Sequence, residues 1–251
     1  MKQHAFIVRE LTMRELRRKY ARSALGILWS VLNPLLSMAV LSLTFSGMFR
    51  RSIENYPIYY LTGNILWQAF TGATNASMTS LVDNKMLLLK VKFPMELFIL
   101  TRVYTALINL GYSLIAYVIM LFVFQVSPKW TMLFSPLIIL FLFLFSLGIS
   151  YMLATAYVFF GDVNHLYTVL LTIWMYCSAI FYPVEQLPET IGRIIEANPM
   201  YNYIACMRNA MLYASWPTIP QWFRMLAWTA GMYAVGSLVF RLSQNRIMQT
   251  V

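Results

Sequence analysis

Acidic residues are scarce in this chain: nine Asp and Glu stand against nineteen Lys and Arg, and charged side chains of both signs make up only 11% of 251 residues. Catalysis or proton relay inside a membrane needs ionisable groups paired within the spans, and these few carboxylates sit mostly at the edges of apolar runs. Histidine is rarer still. His4 and His165 are far apart in sequence with no acidic pair beside either, so no H-E-x-x-H helix exists and no metal site is expected. The two cysteines, Cys177 and Cys206, lack C-x-x-C spacing and read as small buried hydrophobes rather than redox groups. There is no G-x-S-x-G, and no phosphate-cradling G-x-x-x-x-G-K-[ST]. The nearest run, GMYAVGSL from Gly231, has no lysine and lies inside an apolar segment. Repeats, low-complexity tracts and linkers are also missing.

What the chain has instead is apolar length. Hydrophobic residues make up 60% of it, and its mean hydropathy is +0.63, outside the balance of a soluble domain. Apolar segments lie at roughly 28 to 49, 58 to 82, 97 to 125, 132 to 160, 165 to 183 and 222 to 240, where about 20 residues suffice to cross a bilayer. The expectation is an all-α polytopic membrane protein with six transmembrane helices, forming one permease-like domain over residues 1–251. Seven Lys or Arg precede the first apolar run, too long and charged a lead for a cleaved signal peptide, so span one is expected to stay in the mature chain.

The net charge of +10 gathers beside the spans, which points to an anionic leaflet and not to nucleic acid. With the N-terminus inside, twelve Lys and Arg fall on the inner side and six on the outer, leaving Arg102 within span three. That excess orients both termini to the cytoplasm. The long connection from 184 to 220 is then outside. Its apolar residues have helical spacing but are interrupted by Pro188 and Pro199, and Asn198-Pro199 is a helix start. Two outer re-entrant half-helices are expected within 184–215.

Residues 1–26 predict an amphipathic interface helix, with Phe6, Met13, Leu16 and Tyr20 on one face and Arg14, Arg18 and Arg22 opposite. Such a helix either anchors the chain or docks a cytoplasmic partner beside a headgroup-level entrance. Gly26 supplies freedom for the turn into span one. There Ser30, Asn33 and Ser37 share a face around Pro34, as a conduit wall or as interhelical hydrogen-bonding groups. Span two carries Asn64, Gln68, Thr71, Asn75 and Thr79 at spacings of 4, 3, 4 and 4, beside a small-residue ridge of Gly72, Ala76 and Ser80. Carboxamides do not face hydrocarbon cheaply, so the stripe must meet protein or water, and a polar-substrate path is the reading favoured. Tyr167, Trp174 and Phe181, seven apart, suit either a glycan-stacking path or ordinary core packing. In FFGDVNHL, Gly161 is expected to close one helix in the left-handed conformation and Asp162 to cap the next. Residues 83–96, DNKMLLLKVKFPME, read as a short helix outside the bilayer or a plain basic loop.

KYARSALGILWSVLNPLL, the FFGDV turn, SAIFYPVEQLP and NPMYNYIACMRNAML resemble, in order and spacing, the membrane subunits of ABC transporters that export polysaccharides such as O-antigen, capsule, teichoic acid or rhamnan. The resemblance implies an exporter of lipid-linked polysaccharide in a bacterial cytoplasmic membrane, formed by a homodimer with two copies of a separate ATPase that binds ATP and Mg. No cofactor, enzymatic activity or ATPase site is expected in this chain. It implies an entrance at Leu25, Gly26 and Trp29, and a substrate path along Asn33, Asn64, Gln68, Thr71, Asn75, Tyr167, Trp174 and Phe181. Coupling to the ATPase would involve Arg14, Arg18, Lys85, Lys90, Lys92 and Asp162, and the half-helices at 184–215 would gate the exit. One departure is visible: the family often has arginine before the aspartate of the span four to five turn, where Gly161 stands here. The alternatives are a drug or lipid effluxer of related ABC architecture, expected to have a less polar path, and a membrane transferase, which would need clustered carboxylates or histidines.

Overall fold

A computed structural model describes residues 2–21, 25–49, 53–90 and 94–250, with the side chains of 2–5 and 48–49 excepted. Arg22 and Lys92 lie outside the described residues, and so does the His4 side chain. The described chain is helical, with no strand among the described residues. In order the helices are α1 (Lys2–Tyr20), α2 (Leu28–Phe49), α3 (Tyr56–Met78), α4 (Ser80–Asp83), α5 (Lys85–Lys90), α6 (Glu96–Val123), α7 (Ser135–Phe159), α8 (Val163–Tyr176), α9 (Glu189–Ala197), α10 (Pro199–Met211) and α11 (Ile219–Thr250).

Among the described residues, four segments are long and apolar enough to cross a membrane: Leu28–Gly47, Glu96–Val123, Trp130–Phe159 and Ile219–Thr250. Two of the six expected segments behave differently, for different reasons. α3 has 23 residues, about 35 Å of helix, but its polar stripe lowers its hydropathy. α8 has only 14 residues, about 21 Å against a hydrocarbon core of about 30 Å. Beyond Tyr176 the chain leaves the helix instead of continuing to 183.

α3 is the centre of the bundle, packed against α2, α6, α7, α8 and α10. Its apolar side enters a core in which Phe70 lies 5.8 Å from Phe145 and 5.2 Å from Trp174, and Phe145 lies 5.4 Å from Tyr203. α7 and α11 run along each other at backbone contact distance. A Cβ on Gly236 would stand 2.0 Å from the Gly148 oxygen, and one on Gly148 would stand 2.4 Å from the Met232 oxygen. A second cluster occupies the end of the bundle where the chain begins and finishes, joining Leu88, Phe98, Ile99, Phe240 and Ile247, with Leu11 of α1 against it. Gln244 donates to Glu96 at 3.3 Å, so α11 ends beside the start of α6.

Local signals resolve unevenly. Gly26 has φ 47°, the left-handed turn expected of it. Asn198 caps α10 by accepting from the Met200 N–H at 2.9 Å. Gly161 does not adopt the left-handed conformation, since Gly26 is the glycine with positive φ among the described residues, and Asp162 precedes α8 without a side-chain capping bond. Cys206 is buried as expected, whereas Cys177 is exposed.

Candidate functional site

α1, α2, α3 and α6 enclose a cavity of about 700 Å³. α1 supplies Glu15, Arg18, Lys19 and Tyr20; α2 supplies Trp29, Ser30 and Asn33; α3 supplies Gln68, Gly72 and Ala76; α6 supplies Arg102, Thr105, Asn109 and Ser113. The charged groups gather at one end, and amide and hydroxyl groups share the rest with apolar side chains such as Ile65, Ala69, Ala106 and Leu110.

The space exists because α3 turns its small residues toward it. At about 100° per residue, Gly72 and Ala76 point about 80° round from the centre of the polar stripe. A Cβ on Gly72 would meet nothing within 4 Å. Gly72 and Ala76 of the small ridge therefore form a cavity wall here, Ser80 is buried outside it, and the close helix approach is made by Gly148 and Gly236.

The stripe itself divides. Gln68 lines the cavity. Asn64 is buried at 6% exposure with its Nδ2 unpartnered, and Thr71 Oγ1 donates back to the Trp67 oxygen at 3.0 Å. Asn75 is exposed. Asn33 of α2 joins Gln68 in the cavity.

The aromatic series packs into the protomer. The Tyr167 hydroxyl donates to Thr74 Oγ1 at 2.8 Å, and Tyr167 is 5% exposed. Trp174 stands edge-on to Trp67 and Phe70 and donates from Nε1 to Asn198 at 2.7 Å. Phe181 stacks on Tyr60 with ring centres 5.9 Å apart. These three side chains are not among those lining the cavity.

At the entrance position, Leu25 and Trp29 are exposed on either side of Gly26, and Trp29 reaches the cavity. Tyr20 closes the corner, its hydroxyl 2.5 Å from Ser30 Oγ and 2.8 Å from Asn109 Oδ1. Ser113 donates to the Ser30 oxygen at 3.0 Å. The apolar face expected of α1 is divided, with Leu16 and Tyr20 half-buried and Phe6 and Met13 exposed, while Thr12 and Leu11, which lie off that face, are the residues set against the body. Of the basic candidates, Arg18 lines the cavity, Arg14 donates to Asn84 at 2.8 Å, and Lys85 and Lys90 are exposed on α5. Asp162 is exposed at the α7–α8 turn.

Sequence reasoning missed the α6 wall. Arg102, Thr105, Asn109 and Ser113 are spaced 3, 4 and 4, the same stripe rule that singled out span two. Arg102 donates to Glu15 at 2.5 Å and to Asp83 at 3.0 Å.

These features define a class: a multi-pass helical membrane protein whose bundle holds a cavity of mixed lining with charged groups at one end. A family model described as ABC-2 type transporter matches residues 8–212, and the chain belongs to that family. It is 31% identical over 200 residues to the O-antigen export system permease protein RfbA of Myxococcus xanthus, a match covering 79% of this chain and 77% of that protein. It is 29% identical over 203 residues to a protein of the same name from Klebsiella pneumoniae, covering 80% and 78%. The polysialic acid transport protein KpsM of Escherichia coli is 23% identical over 211 residues, covering 82% and 81%.

Proposed function

We propose that this chain is the permease subunit of an ATP-driven exporter that moves a lipid-linked polysaccharide across the cytoplasmic membrane. The observation that carries the reading is the cavity between α1, α2, α3 and α6 whose lining includes Asn33, Gln68, Asn109 and Ser113, in a chain whose relatives are named for O-antigen and polysialic acid export. Amides and hydroxyls there offer uncharged hydrogen bonds to a sugar without the desolvation cost of a buried charge. A drug or bulk-lipid effluxer gains nothing from such a lining, so that alternative is the weaker one.

The exporter works as a homodimer with a separate ATPase dimer that binds ATP and Mg, this chain holding no ATPase site of its own. Its six spans are α2, α3, α6, α7, α8 and α11, with α9 and α10 re-entering from the outer side. The basic residues of α1, α5 and the end of α11 support the reading that this end of the bundle, with both termini, faces the cytoplasm. There α1 and α5 present Arg14, Arg18, Lys85 and Lys90 to the ATPase. Nucleotide binding drives export by its differential affinity for two states of the pair.

The test is reconstitution with the partner ATPase in liposomes containing lipid-linked glycan. Gln68→Leu and Asn33→Leu are expected to slow export about tenfold, a loss of one or two hydrogen bonds to cargo. Asn75→Leu, at an exposed position away from the cavity, should cost less. Undiminished export in both cavity variants would defeat the proposal.

A further inference from the structure

Arg102 lies inside the apolar span of α6, about a turn and a half from its start, and its side chain is only 15% exposed. A cation so sheltered persists only when paired, and Arg102 is paired twice, with partners on two different elements. One guanidinium nitrogen meets Glu15 of α1 at 2.5 Å and the other meets Asp83 of α4 at 3.0 Å. The neighbouring residues close a ring: Arg14, adjacent to Glu15, donates to Asn84, adjacent to Asp83, at 2.8 Å. Arg14 also stands 3.7 Å from Glu15, so two arginines balance two carboxylates. The α4 end is itself fixed, since Thr79 donates to Asp83 at 2.8 Å and Asn84 donates to the Ser80 oxygen at 2.8 Å.

We infer that Arg102 is a positioning residue that makes α1 and the α4–α5 segment move as one body, transmitting displacement of α4–α5 to the wall of the cavity. Glu15, Asp83 and Arg102 all line that cavity, so a shift of this ring changes its charged end directly. The planar guanidinium suits the task because it holds two carboxylates at fixed relative positions, which a point-charge ammonium does less rigidly. Glu15 and Asp83 act in series through it. The consequence for transport rests on the permease reading above; the mechanical link does not.

Two measurements on the full transporter with its ATPase separate these. Spin labels at Arg17→Cys on α1 and Met86→Cys on α5, both exposed positions, with Cys177 and Cys206 replaced, report the α1–α5 distance. The distribution is expected to widen in Arg102→Gln and to widen less in Arg102→Lys, whose ammonium keeps the charge without the planar fork. With Asn84→Leu removing the parallel Arg14 link from every chain compared, export per ATP hydrolysed is expected to fall about tenfold in Glu15→Gln and in Asp83→Asn, and the double variant should be no worse than the poorer single, since breaking either link then disconnects the series. An unchanged distance distribution in Arg102→Gln overturns the inference, as do losses in the two single variants that simply add. If Arg102→Gln is not recovered folded, the two isosteric carboxylate variants decide by the same distance measurement. Widening in Arg102→Gln where the parent transporter moves no glycan would defeat the permease reading and leave the strut standing; an unchanged distribution in Arg102→Gln where the parent exports glycan would do the reverse.

Discussion

Arg208 is 3% exposed, and its guanidinium donates to the Tyr59 hydroxyl at 2.8 Å, the Ala179 oxygen at 2.9 Å and the Ile180 oxygen at 3.0 Å while lying 3.5 Å from the Tyr59 ring centre. The carbonyls belong to the irregular stretch after α8, where Ala179 has φ 48° and no helix bonds satisfy the backbone. One side chain thus answers a need that hydrocarbon would not. Arg208→Met is expected to destabilise the protein by about 3 kcal/mol, the cost of several buried acceptors left open, read as a lowered thermal midpoint in detergent. Tyr59→Phe should cost about 1 kcal/mol by the same assay. Gly236→Ala should be at least as damaging as Arg208→Met, because its Cβ would meet backbone, which cannot swing aside. Gly72→Ala, facing open space, should be neutral in stability and serves as the control.

Among the elements, the short α8 depends on its tie to α10. Asn198 accepts from Trp174 Nε1 and the Met200 N–H, and donates to the Cys177 oxygen at 2.8 Å and Ser178 Oγ at 3.2 Å, so one carboxamide both caps α10 and holds the end of α8. Asn198→Ala is expected to cost about 2 kcal/mol, the upper range for an N-cap, and to shift Trp174 fluorescence because the indole loses its acceptor. Trp174→Phe should reproduce part of the stability loss through the same lost bond. The Asn198-Pro199 start was legible because capping chemistry is local. The end of α8 was not, since the apolar run continues to Tyr182 and only the partners Asn198 and Arg208, distant in sequence, make a break there affordable.

For the whole molecule, orientation is the property most open to a direct test. Cys177 is exposed beside α9 and α10, the helices proposed to face outward, and Cys206 is buried. A membrane-impermeant thiol reagent added to right-side-out vesicles is expected to label Cys177 and leave Cys206 unmodified; labelling of Cys177 only after the inner face is opened would invert the assigned topology. At this scale the all-helical class and the basic end were readable from composition and charge. The polar stripe was readable too, though its division among a buried Asn64, a cavity-lining Gln68 and an exposed Asn75 was not, because spacing fixes a helix face and not what lies opposite it at each turn.

The chain's own pattern therefore settled what must happen within a single helix: apolar length enough for spans, amides gathered on one side, a glycine where the interface helix turns, an asparagine cap before a proline. Only packing decided which helices meet. It made Gly72 and Ala76 a cavity wall, turned Tyr167, Trp174 and Phe181 inward, and gave Arg102 and Arg208 their partners. The physical reason is range: caps and periodicity act over a few residues, whereas a sheltered cation or a cavity is defined by groups brought together from positions as far apart as Glu15 and Arg102, or Tyr59 and Arg208.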